Sequence, residues 1–358
     1  MKIAILGGGH GCYAAAADLS EQGHEVRLWR RDGAALQAIT DQGGIMLIDA
    51  RGRRLVRPAL VSAEIGPVVQ NAHLLLIPGP ANAQEDIARA MAPHLSHGQV
   101  VFLPPGTFGS LVMDRIVRAS RDNSGNPVQV TYAETGTLPY LARKRGPAEV
   151  AITIRAVRLP TGVYPLSRQD FALSVIAEAY PAVQACGDAL SGALMNAGPI
   201  IHPPLILMNA APLEHFEQWD IHNEGTQPSV RAVTDALDAE RIRIREAMGY
   251  GAPHFPLSDH YHSDRWMYGD AHQRLVDSGD WREHIELRSH RYMIEDTALG
   301  LALLDSVARY AGVDAPLTHG LLAIASAILG QDLRHGPRTF ESLGLAALSP
   351  DQLRESLR

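Results

Sequence analysis

The sequence has few cysteines and no long apolar run. Cysteine occurs only at positions 12 and 186 of its 358 residues. Two cysteines so far apart argue against a disulfide scaffold and suit a reducing compartment. No uninterrupted apolar stretch of roughly 18 or more residues occurs, so we expect no membrane span. The N-terminus lacks the continuous apolar segment of a secretion signal, and we therefore predict a cytoplasmic protein.

An excess of positive charge is also absent. The formal net charge is −7 at pH 7, so electrostatics do not favour a nucleic-acid partner, although arginines can still form local anion sites. With 46 % hydrophobic and 20 % charged residues, the composition is typical of a soluble globular enzyme. The length predicts about two domains with a large buried core.

A glycine-rich turn follows the first apolar run. In KIAILGGGHGCYAAAADL, residues 2–19, a predicted strand leads into glycines and then into good helix formers. Such a turn lets the backbone approach a phosphate, which the helix N-terminus attracts. The dinucleotide pattern G-x-G-x-x-G is matched at two positions, and cysteine takes the third. The alternative is an ordinary strand-to-helix turn with extra glycines. The predicted cofactor contacts in this turn are Gly7, Gly9, His10, Gly11 and Cys12.

The second predicted strand, HEVRLW at 24–29, ends beside arginines instead of an acidic residue. An acidic residue at this point binds the adenine ribose 2′-OH of NAD, whereas arginine accommodates the 2′-phosphate of NADP. We therefore favour NADP(H) as cofactor, with Arg30 as the main contact and Arg31 as support. In the alternative, both arginines are solvated and Asp32 binds the ribose, as expected for NAD(H).

Short apolar runs alternate with helical segments in the first half of the chain. This alternation predicts an α/β, doubly wound, Rossmann-type domain whose ligands bind beyond the carboxyl ends of the strands. Two loops at that edge, PGPANA beginning at Pro78 and PPGTFG at 104–109, either contact the cofactor or only shape turns. The predicted strands lie at 2–6, 24–29, 73–77, 99–103, 128–133 and 149–157. The predicted helices lie at 11–22, 33–42, 82–95 and 108–121.

From about residue 168 onward, helical periodicity replaces strand-like alternation. Apolar residues recur at helical spacing at 230–248 and 295–312, and SPDQL near the C-terminus is typical of a helix N-cap followed by proline. We therefore predict a Rossmann domain at 1–170 and an all-helical domain at 171–358. An apolar helical domain of this kind is compatible with a homodimer.

Lysine is confined to Lys2 and Lys144. Several two-domain dehydrogenases with a helical second half place a lysine of that half near the reacting carbon; they include the ketopantoate reductases and the enzymes that act on glycerol 3-phosphate or 6-phosphogluconate. Arginine cannot replace lysine as an acid or base, because its guanidinium stays protonated. Since no lysine follows position 144, we exclude that chemistry.

Histidine is the usual proton donor or acceptor near neutral pH, and the chain contains 16. His202 stands out because one apolar helix is predicted to break at 198–199 and another to start at Pro203. A helix start among apolar residues can fix an imidazole in a dry cleft, although His202 then serves equally well as a simple helix cap. The cluster SDHYHSDRW at 258–266 lacks the i, i+4 spacing of helical zinc ligands, so we interpret it as an exposed loop and predict no metal site.

Several motifs occur in the same order as in a known family. The pattern N-x5-H-P is matched by Asn196, His202 and Pro203. The motifs that follow it are NAAPLE (209–214), EGTQPSV (224–230), DAERIRI (238–244), RYMIED (291–296) and GPRTFESLGL (336–345). Over essentially the whole chain the sequence resembles the octopine/nopaline, or opine, dehydrogenase family, and most of all its bacterial N-(1-carboxyethyl)-norvaline dehydrogenase type.

The resemblance implies a Rossmann domain paired with an all-helical domain. It also implies the reductive joining of an amine or amino acid to a 2-oxo acid with NAD(P)H, through hydride transfer to an imine. His202 and Asp296 would act together in the cleft. His202 would exchange a proton with the carbonyl or carbinolamine oxygen, or with the amine in the oxidative direction, while Asp296 holds the imidazole in the right tautomer.

Two further residues are candidates for substrate binding. Arg291 can grip a substrate carboxylate in bidentate fashion, and the competing account is a surface salt bridge with Glu295 at i+4. Asn196 can orient the oxo acid or the nicotinamide amide, and the competing account is a buried helix amide bonded to backbone.

The sequence departs from the family pattern in three places. The glycine turn carries His10 where relatives mostly have asparagine, and Cys12 where they have glycine or alanine. Arg30 replaces the acidic residue of NAD-dependent relatives, and the segment at 254–275 does not follow the family. Rival hypotheses are an imine or 2-oxo acid reductase on the same scaffold and a dinucleotide sensor without turnover. A metal-linked opine synthase is disfavoured because such enzymes are generally longer.

Overall fold

A computed structural model describes residues 1–119, 127–258, 271–278 and 281–358. The chain divides into two compact units, Met1–Ala193 with Arg358 and Leu194–Leu357. The first unit therefore extends beyond the predicted boundary at 170/171. The reason is that residues 171–193 add a strand and helical segments that pack on the sheet of the first unit.

The first unit is built on two sheets. In chain order, its strands are β1 (Lys2–Leu6), β2 (Glu25–Trp29), β3 (Ile45–Asp49), β4 (Gly52–Val56), β5 (Leu60–Ser62), β6 (Leu74–Leu76), β7 (Val100–Leu103), β8 (Thr131–Thr135), β9 (Tyr140–Gly146), β10 (Glu149–Arg155), β11 (Leu159–Tyr164) and β12 (Val183–Asp188). The larger sheet has the order β12-β11-β8-β7-β6-β1-β2-β5. Its neighbours are parallel except β8 and β11. The smaller sheet has the order β4-β3-β10-β9.

Helices connect these strands. They are α1 (His10–Glu21), α2 (Gln37–Gln42), α3 (Ile65–Val69), α4 (Gln84–Met91), α5 (Gly109–Arg118), α6 (Gln169–Ala179) and α7 (Ala189–Ala193). Short 3-10 segments lie at Ala34–Leu36, Ala81–Ala83, Ala92–His94 and Leu166–Arg168. In α1, the alanines at 14–17 are fully buried, and their small side chains allow the helix to pack closely on β1, whose residues 3–6 are fully buried as well. This packing positions the turn that joins β1 to α1.

The predicted Rossmann-type sheet is confirmed, with additions. Each predicted strand and helix of the first half has a close counterpart, whereas β3, β4, β5, β9, β11 and β12 were not predicted. Gly52–Val56, for example, reads GRRLV and is mostly exposed, so it lacks the apolar run that marks a buried parallel strand. This strand, β4, therefore escapes a search for apolar runs.

The described residues of the second unit are helical apart from a short ribbon and the connecting loops. Its helices are α8 (Gly198–Met208), α9 (Ala210–His215), α10 (Pro228–Ala247), α11 (Ala271–Ser278), a π-helix (Tyr292–Leu301), α12 (Ala302–Ala311), α13 (Pro316–Leu329) and α14 (Pro350–Ser356), with a 3-10 segment at Leu333–His335. Two-residue strands, β13 (Trp219–Asp220) and β14 (Arg282–Glu283), form the ribbon. The predicted N-cap in SPDQL is confirmed, because the Ser349 side chain caps α14 in a capping box with Gln352.

The predicted start of a helix at Pro203 is wrong, although a break between helices does precede Gly198, since α7 ends at Ala193. A single helix, α8, begins at Gly198, with Pro199 in its first turn and Pro203 and Pro204 inside it. Each internal proline removes a backbone donor, but the fixed φ of proline is compatible with a helix. Both prolines are buried with the apolar residues around them, and this tertiary packing offsets the lost hydrogen bonds. Within the described ranges, no helix combines the length and apolar character that a membrane span requires.

Candidate active site

The glycine turn lies where β1 ends and α1 begins. Gly7 has a φ of +132°, a backbone conformation that residues with side chains rarely adopt. Gly9 is the N-cap of α1, with extended backbone and no side-chain cap. A Cβ added at Gly9 would meet nothing within 4 Å, so the space there is open. The start of α1 therefore has no side-chain cap beside this open space, as a helix N-terminus that faces an anion requires.

Cys12 supports this turn from its buried side. Its thiol lies 3.9 Å from the Leu6 carbonyl oxygen and 3.8 Å from that of Pro78. Burial raises the pKa of the thiol to about 11, so it stays protonated at neutral pH. A Cβ at Gly7 would lie 2.8 Å from Cys12 Sγ, and one at Gly11 would lie 3.0 Å from the Pro78 oxygen. The observed contacts of Cys12 and Pro78 therefore shape the turn, and their contact with a cofactor stays a prediction.

Arg30 follows β2 and lies directly against the glycine turn. A Cβ at Gly8 would come within 2.5 Å of Arg30 Cδ, so the arginine stem occupies the space beside that glycine. Asp32 lies 3.9 Å from the Arg30 guanidinium, and its Oδ1 also accepts N–H donors of the following 3-10 segment, at 3.1 Å from Ala34. The Arg31 side chain is 68 % exposed and contacts the Asp86 carboxylate at 3.4 Å. Arg30 therefore borders the turn, whereas the Arg31 guanidinium contacts the exposed carboxylate of Asp86.

His10 begins α1 and connects it to the smaller sheet. Its Nδ1 accepts a hydrogen bond from the backbone N–H of Lys144 in β9, at 2.9 Å. This contact explains why histidine can occupy a position of the glycine turn without filling the open space at Gly9. Contact of His10 with the cofactor stays a prediction.

In the helical unit, the structure brings His202 and Asp296 together. His202 Nδ1 lies 2.7 Å from Asp296 Oδ2, although 94 residues separate them in the chain. The imidazole is 14 % exposed and the carboxylate 6 % exposed. Because the carboxylate accepts from Nδ1–H, Nε2 is the nitrogen left for proton exchange with another molecule.

Burial distinguishes this pair from other histidine–aspartate contacts of the same unit. His319 Nδ1 lies 3.0 Å from Asp305, but its side chain is 54 % exposed. His335 lies 3.6 Å from Asp332 and is 79 % exposed. Exposed pairs of this kind are screened by water, whereas a buried pair fixes the ring and its tautomer.

Glycines allow the two helices of the pair to approach each other. A Cβ at Gly198, the first residue of α8, would collide with the Asp296 carboxylate. A Cβ at Gly300 in the π-helix would likewise collide with the ring of Pro199. The close contact of α8 with the π-helix therefore requires these two glycines, and it sets the distance between imidazole and carboxylate.

The segment that carries Asp296 is a π-helix of ten residues, Tyr292–Leu301. π-Helical turns are rare and occur frequently at functional sites. The Thr297 hydroxyl donates to the Tyr292 carbonyl five residues earlier, at 2.7 Å, which adds a side-chain bond to the wide turn. Helical periodicity in the sequence predicted a helix here, but it does not distinguish a π-helix from an α-helix.

Tyr292 is a site residue that the sequence argument missed. Its ring stacks on the His202 imidazole with centroids 3.6 Å apart and planes 9° apart. Its hydroxyl is 2.7 Å from Nε2 of His222, which in turn contacts the Trp281 ring edge-on at 4.4 Å. The sequence shows this tyrosine within the motif RYMIED. Its partners His202, His222 and Trp281 lie in other parts of the chain, so only the structure shows that Tyr292 belongs to the site.

Burial sets the protonation of the pair. It lowers the pKa of His202 well below the usual value, and the positive charge of Arg291 acts in the same direction. Burial raises the pKa of Asp296 to about 6, against the opposing charge of Arg291. Above about pH 6 the pair therefore holds a neutral imidazole beside a carboxylate, and below it the pair takes up a proton.

Arg291 precedes the π-helix and is half exposed. One guanidinium nitrogen lies 3.9 Å from the Glu295 carboxylate, so the salt bridge at i+4 is formed only at long range. The guanidinium carbon also lies 5.3 Å from the centroid of the Tyr292 ring. Arg291 is thus next to the His202 stack and retains a charge that a carboxylate can approach.

Asn196 is buried just before α8. Its Oδ1 accepts a hydrogen bond from the Gly198 N–H at 3.0 Å, so the side chain binds backbone at the start of the helix. This is the contact that the structural alternative predicts, and a role in substrate binding stays a prediction.

No group of three or more potential metal ligands occurs among the described residues. Of the cluster SDHYHSDRW, residues 259–266 lie outside the described part of the chain, as does most of the segment at 254–275 that departs from the family pattern.

Comparison with known proteins finds similarities in both halves of the chain. The family described as NAD/NADP octopine/nopaline dehydrogenase, alpha-helical domain, matches residues 185–329, and ketopantoate reductase PanE/ApbA matches residues 3–112. Opine dehydrogenase from Arthrobacter sp. (strain 1C) is 30 % identical to this chain, over 99 % of this chain and 98 % of the relative. The chain belongs to the opine dehydrogenase family.

Solved structures share the fold of this chain. An octopine dehydrogenase in complex with NADH and agmatine has a TM-score of 0.72 and 17 % identity, with 99 % of this chain and 98 % of that chain covered. NADP+-bound yersinopine dehydrogenase has a TM-score of 0.64 and 15 % identity, with 100 % and 97 % covered. These likenesses confirm the predicted fold. This opine dehydrogenase is an NAD(P)-dependent oxidoreductase that uses a nicotinamide dinucleotide.

Proposed function

We propose that this opine dehydrogenase reductively joins an amine or amino acid to a 2-oxo acid, with His202 and Asp296 as its proton-transfer pair. The observation that carries this proposal is the buried 2.7 Å contact between His202 Nδ1 and Asp296 Oδ2. Candidate catalytic groups are recognised by such an oriented base together with a shifted pKa, and both features are present here.

The glycine turn is the part of the chain that fits the phosphates of the cofactor. Gly9 leaves open space at the turn, Gly7 and Gly11 allow the turn to pack closely on Cys12 and Pro78, and the start of α1 has no side-chain cap. When bound, the nicotinamide dinucleotide supplies the hydride that reduces the imine carbon. The remaining chemistry is proton transfer and orientation, which side chains of the helical unit can provide.

His202 would exchange the proton through Nε2. In the reductive direction, the imidazolium donates to the oxygen of the carbinolamine, which leaves as water when the imine forms. In the oxidative direction, the neutral imidazole accepts a proton from the substrate amine. The Asp296 carboxylate holds Nδ1–H throughout and stabilises the imidazolium, while Tyr292 restrains the ring by stacking on it.

Arg291 would bind the substrate carboxylate, since its planar guanidinium suits bidentate contact and its salt bridge to Glu295 is long. Asn196 would orient the oxo acid or the nicotinamide amide in addition to holding the start of α8. Both roles depend on the substrate being an acid with an adjacent carbonyl group, as a 2-oxo acid is.

A panel of substrates tests the proposed reaction. NADPH oxidation is measured with pyruvate and other 2-oxo acids, each combined with a set of amino acids and amines and each also alone. We expect turnover that requires both partners and yields a secondary amine detectable by mass spectrometry. Equal turnover with an oxo acid alone identifies a 2-oxo acid reductase instead. Cofactor binding without turnover in any combination identifies a sensor.

We propose that NADP(H) is preferred over NAD(H), with Arg30 as the main contact and Arg31 as support. Arg30 lies against the glycine turn, and Asp32 is partly engaged by backbone N–H groups. A hydrogen-bonded ion pair contributes about 1.5–3 kcal/mol, so we expect a KM for NADPH roughly 10- to 100-fold below that for NADH. Steady-state kinetics with the identified substrates check this. An equal or lower KM for NADH contradicts the preference.

A further inference from the structure

Lys144 lies next to the glycine turn, although nothing in the sequence argument gave it a function. It belongs to β9, and its backbone N–H donates to His10 at the start of α1. Its side chain extends over the ring of Tyr13, with Nζ 3.7 Å from the ring centroid. The cation–π contact thus places the ammonium on α1, while the main-chain hydrogen bond fixes the Lys144 backbone beside His10.

Tyr13 connects Lys144 with Arg30. The Tyr13 ring is fully buried in α1, and Arg30 lies near its phenol group, where the guanidinium opposes the rise in phenol pKa that burial causes. Arg30 also lowers the pKa of Lys144, after the larger effect of burial. Lys144 and Arg30 therefore both lie beside the Tyr13 ring, and their positive charges repel each other.

Little negative charge compensates these two cations. Within the described part of the chain, Lys144 forms no salt bridge, and the one carboxylate that Arg30 reaches is Asp32, at 3.9 Å. Asp32 also accepts a hydrogen bond from the Ala34 N–H. Like charges in partly buried positions repel each other, so an anion bound between them relieves a repulsion as well as forming ion pairs.

We propose that Lys144 and Arg30 together bind the 2′-phosphate of NADP(H), with Tyr13 holding the two cations apart at the edge of the glycine turn. This inference rests on the proposed preference for NADP(H). A phosphate monoester carries a charge of about −1.5 to −2 at neutral pH and accepts several charge-assisted hydrogen bonds, whereas NAD(H) presents only a hydroxyl at this position. Lys144 is then a residue that determines cofactor specificity.

Isothermal titration calorimetry of Lys144→Met tests the proposal without relying on turnover. Methionine keeps an unbranched apolar side chain over Tyr13 and removes the charge. We expect the Kd for NADP+ to rise about 10- to 100-fold while the Kd for NAD+ changes little, and Lys144→Arg to retain most of the affinity for NADP+. Adenosine 2′-monophosphate should lose affinity as NADP+ does, and adenosine 5′-monophosphate should not.

Lys2 provides a matched control, because it is the only other lysine and begins β1 at the end opposite the glycine turn. Lys2→Met should leave both Kd values unchanged, and circular dichroism should show both variants folded. If Lys144→Met weakens NADP+ and NAD+ equally, or weakens neither, the assignment of Lys144 is wrong while a measured preference for NADP+ still stands. If the unmodified protein binds NAD+ as tightly as NADP+, the proposed preference fails, and this inference fails with it.

Discussion

Replacing His202 by alanine is expected to lower kcat by about 10²- to 10⁴-fold, with the Kd for the nicotinamide dinucleotide retained. The physical reason is that the variant has no group at Nε2 to exchange a proton with the substrate, while the glycine turn that would hold the cofactor lies in the other unit. Steady-state kinetics in both directions, together with calorimetric titration of the cofactor, measure the two quantities separately.

His319→Ala is the matched control for this variant. His319 also directs Nδ1 at an aspartate, Asp305, at 3.0 Å, but its side chain is 54 % exposed and it has no part in the proposed mechanism. We expect kcat of the control to stay near that of the unmodified protein. Near-normal turnover of His202→Ala removes His202 from the mechanism, whatever the control does.

Replacing Asp296 by asparagine is expected to lower kcat on the order of 10²- to 10⁴-fold and to preserve the fold. The amide can donate to Nδ1, which favours the tautomer with its proton on Nε2, and it does not stabilise an imidazolium. Asparagine has nearly the same shape as aspartate, so the contact with Gly198 remains sterically possible. Kinetics and thermal unfolding followed by circular dichroism check both parts of this expectation. A variant that simply melts shows Asp296 to be a structural residue.

The pH profile provides an independent measure of the same pair. In the oxidative direction the base form is needed, so log kcat/KM should rise with pH and level off above about pH 6. In the reductive direction the protonated pair is needed, so the rate should fall above that pH. In Asp296→Asn the inflection near pH 6 should disappear, because the amide does not titrate and burial keeps the pKa of His202 low. Asp332→Asn, at an exposed histidine–aspartate pair, should keep the inflection. An unchanged profile in Asp296→Asn assigns the inflection to another group.

Local patterns predicted the nucleotide-binding half well, but not completely. β1, the glycine turn and α1 are contiguous in sequence, and their apolar run, glycines and alanines report the local backbone directly. Three of the four strands of the smaller sheet were missed, and one of them, Gly52–Val56, is largely exposed and carries arginines, so burial leaves no periodic signal there. The boundary between the units was placed too early because the strand at 183–188 gains its partner, β11, only in the folded sheet.

The prolines around His202 are the reason why the start of its helix was predicted wrongly. Proline favours the first turn of a helix, so a helix start was predicted at Pro203, yet α8 already begins at Gly198 and continues through Pro203 and Pro204, since tertiary packing of the apolar helix outweighs the local preference. The helix at 295–312 was predicted by its spacing, but its first part is a π-helix that begins at Tyr292. Apolar periodicity shows which side of a segment is buried. It does not distinguish the backbone hydrogen bonds of a π-helix from those of an α-helix.

The sequence by itself determined the family, the glycine turn and the residue types available for proton transfer, because motifs and periodicity are properties of neighbouring residues. Only the tertiary structure decided that His202 meets Asp296 across 94 residues, that Tyr292 stacks on the imidazole, and that Lys144 reaches the ring beside Arg30. Such contacts depend on how helices and strands pack, and packing is governed by side chains that are distant in the chain. Glycines at 198 and 300 illustrate the difference, since their importance comes from what they touch and not from the residues beside them.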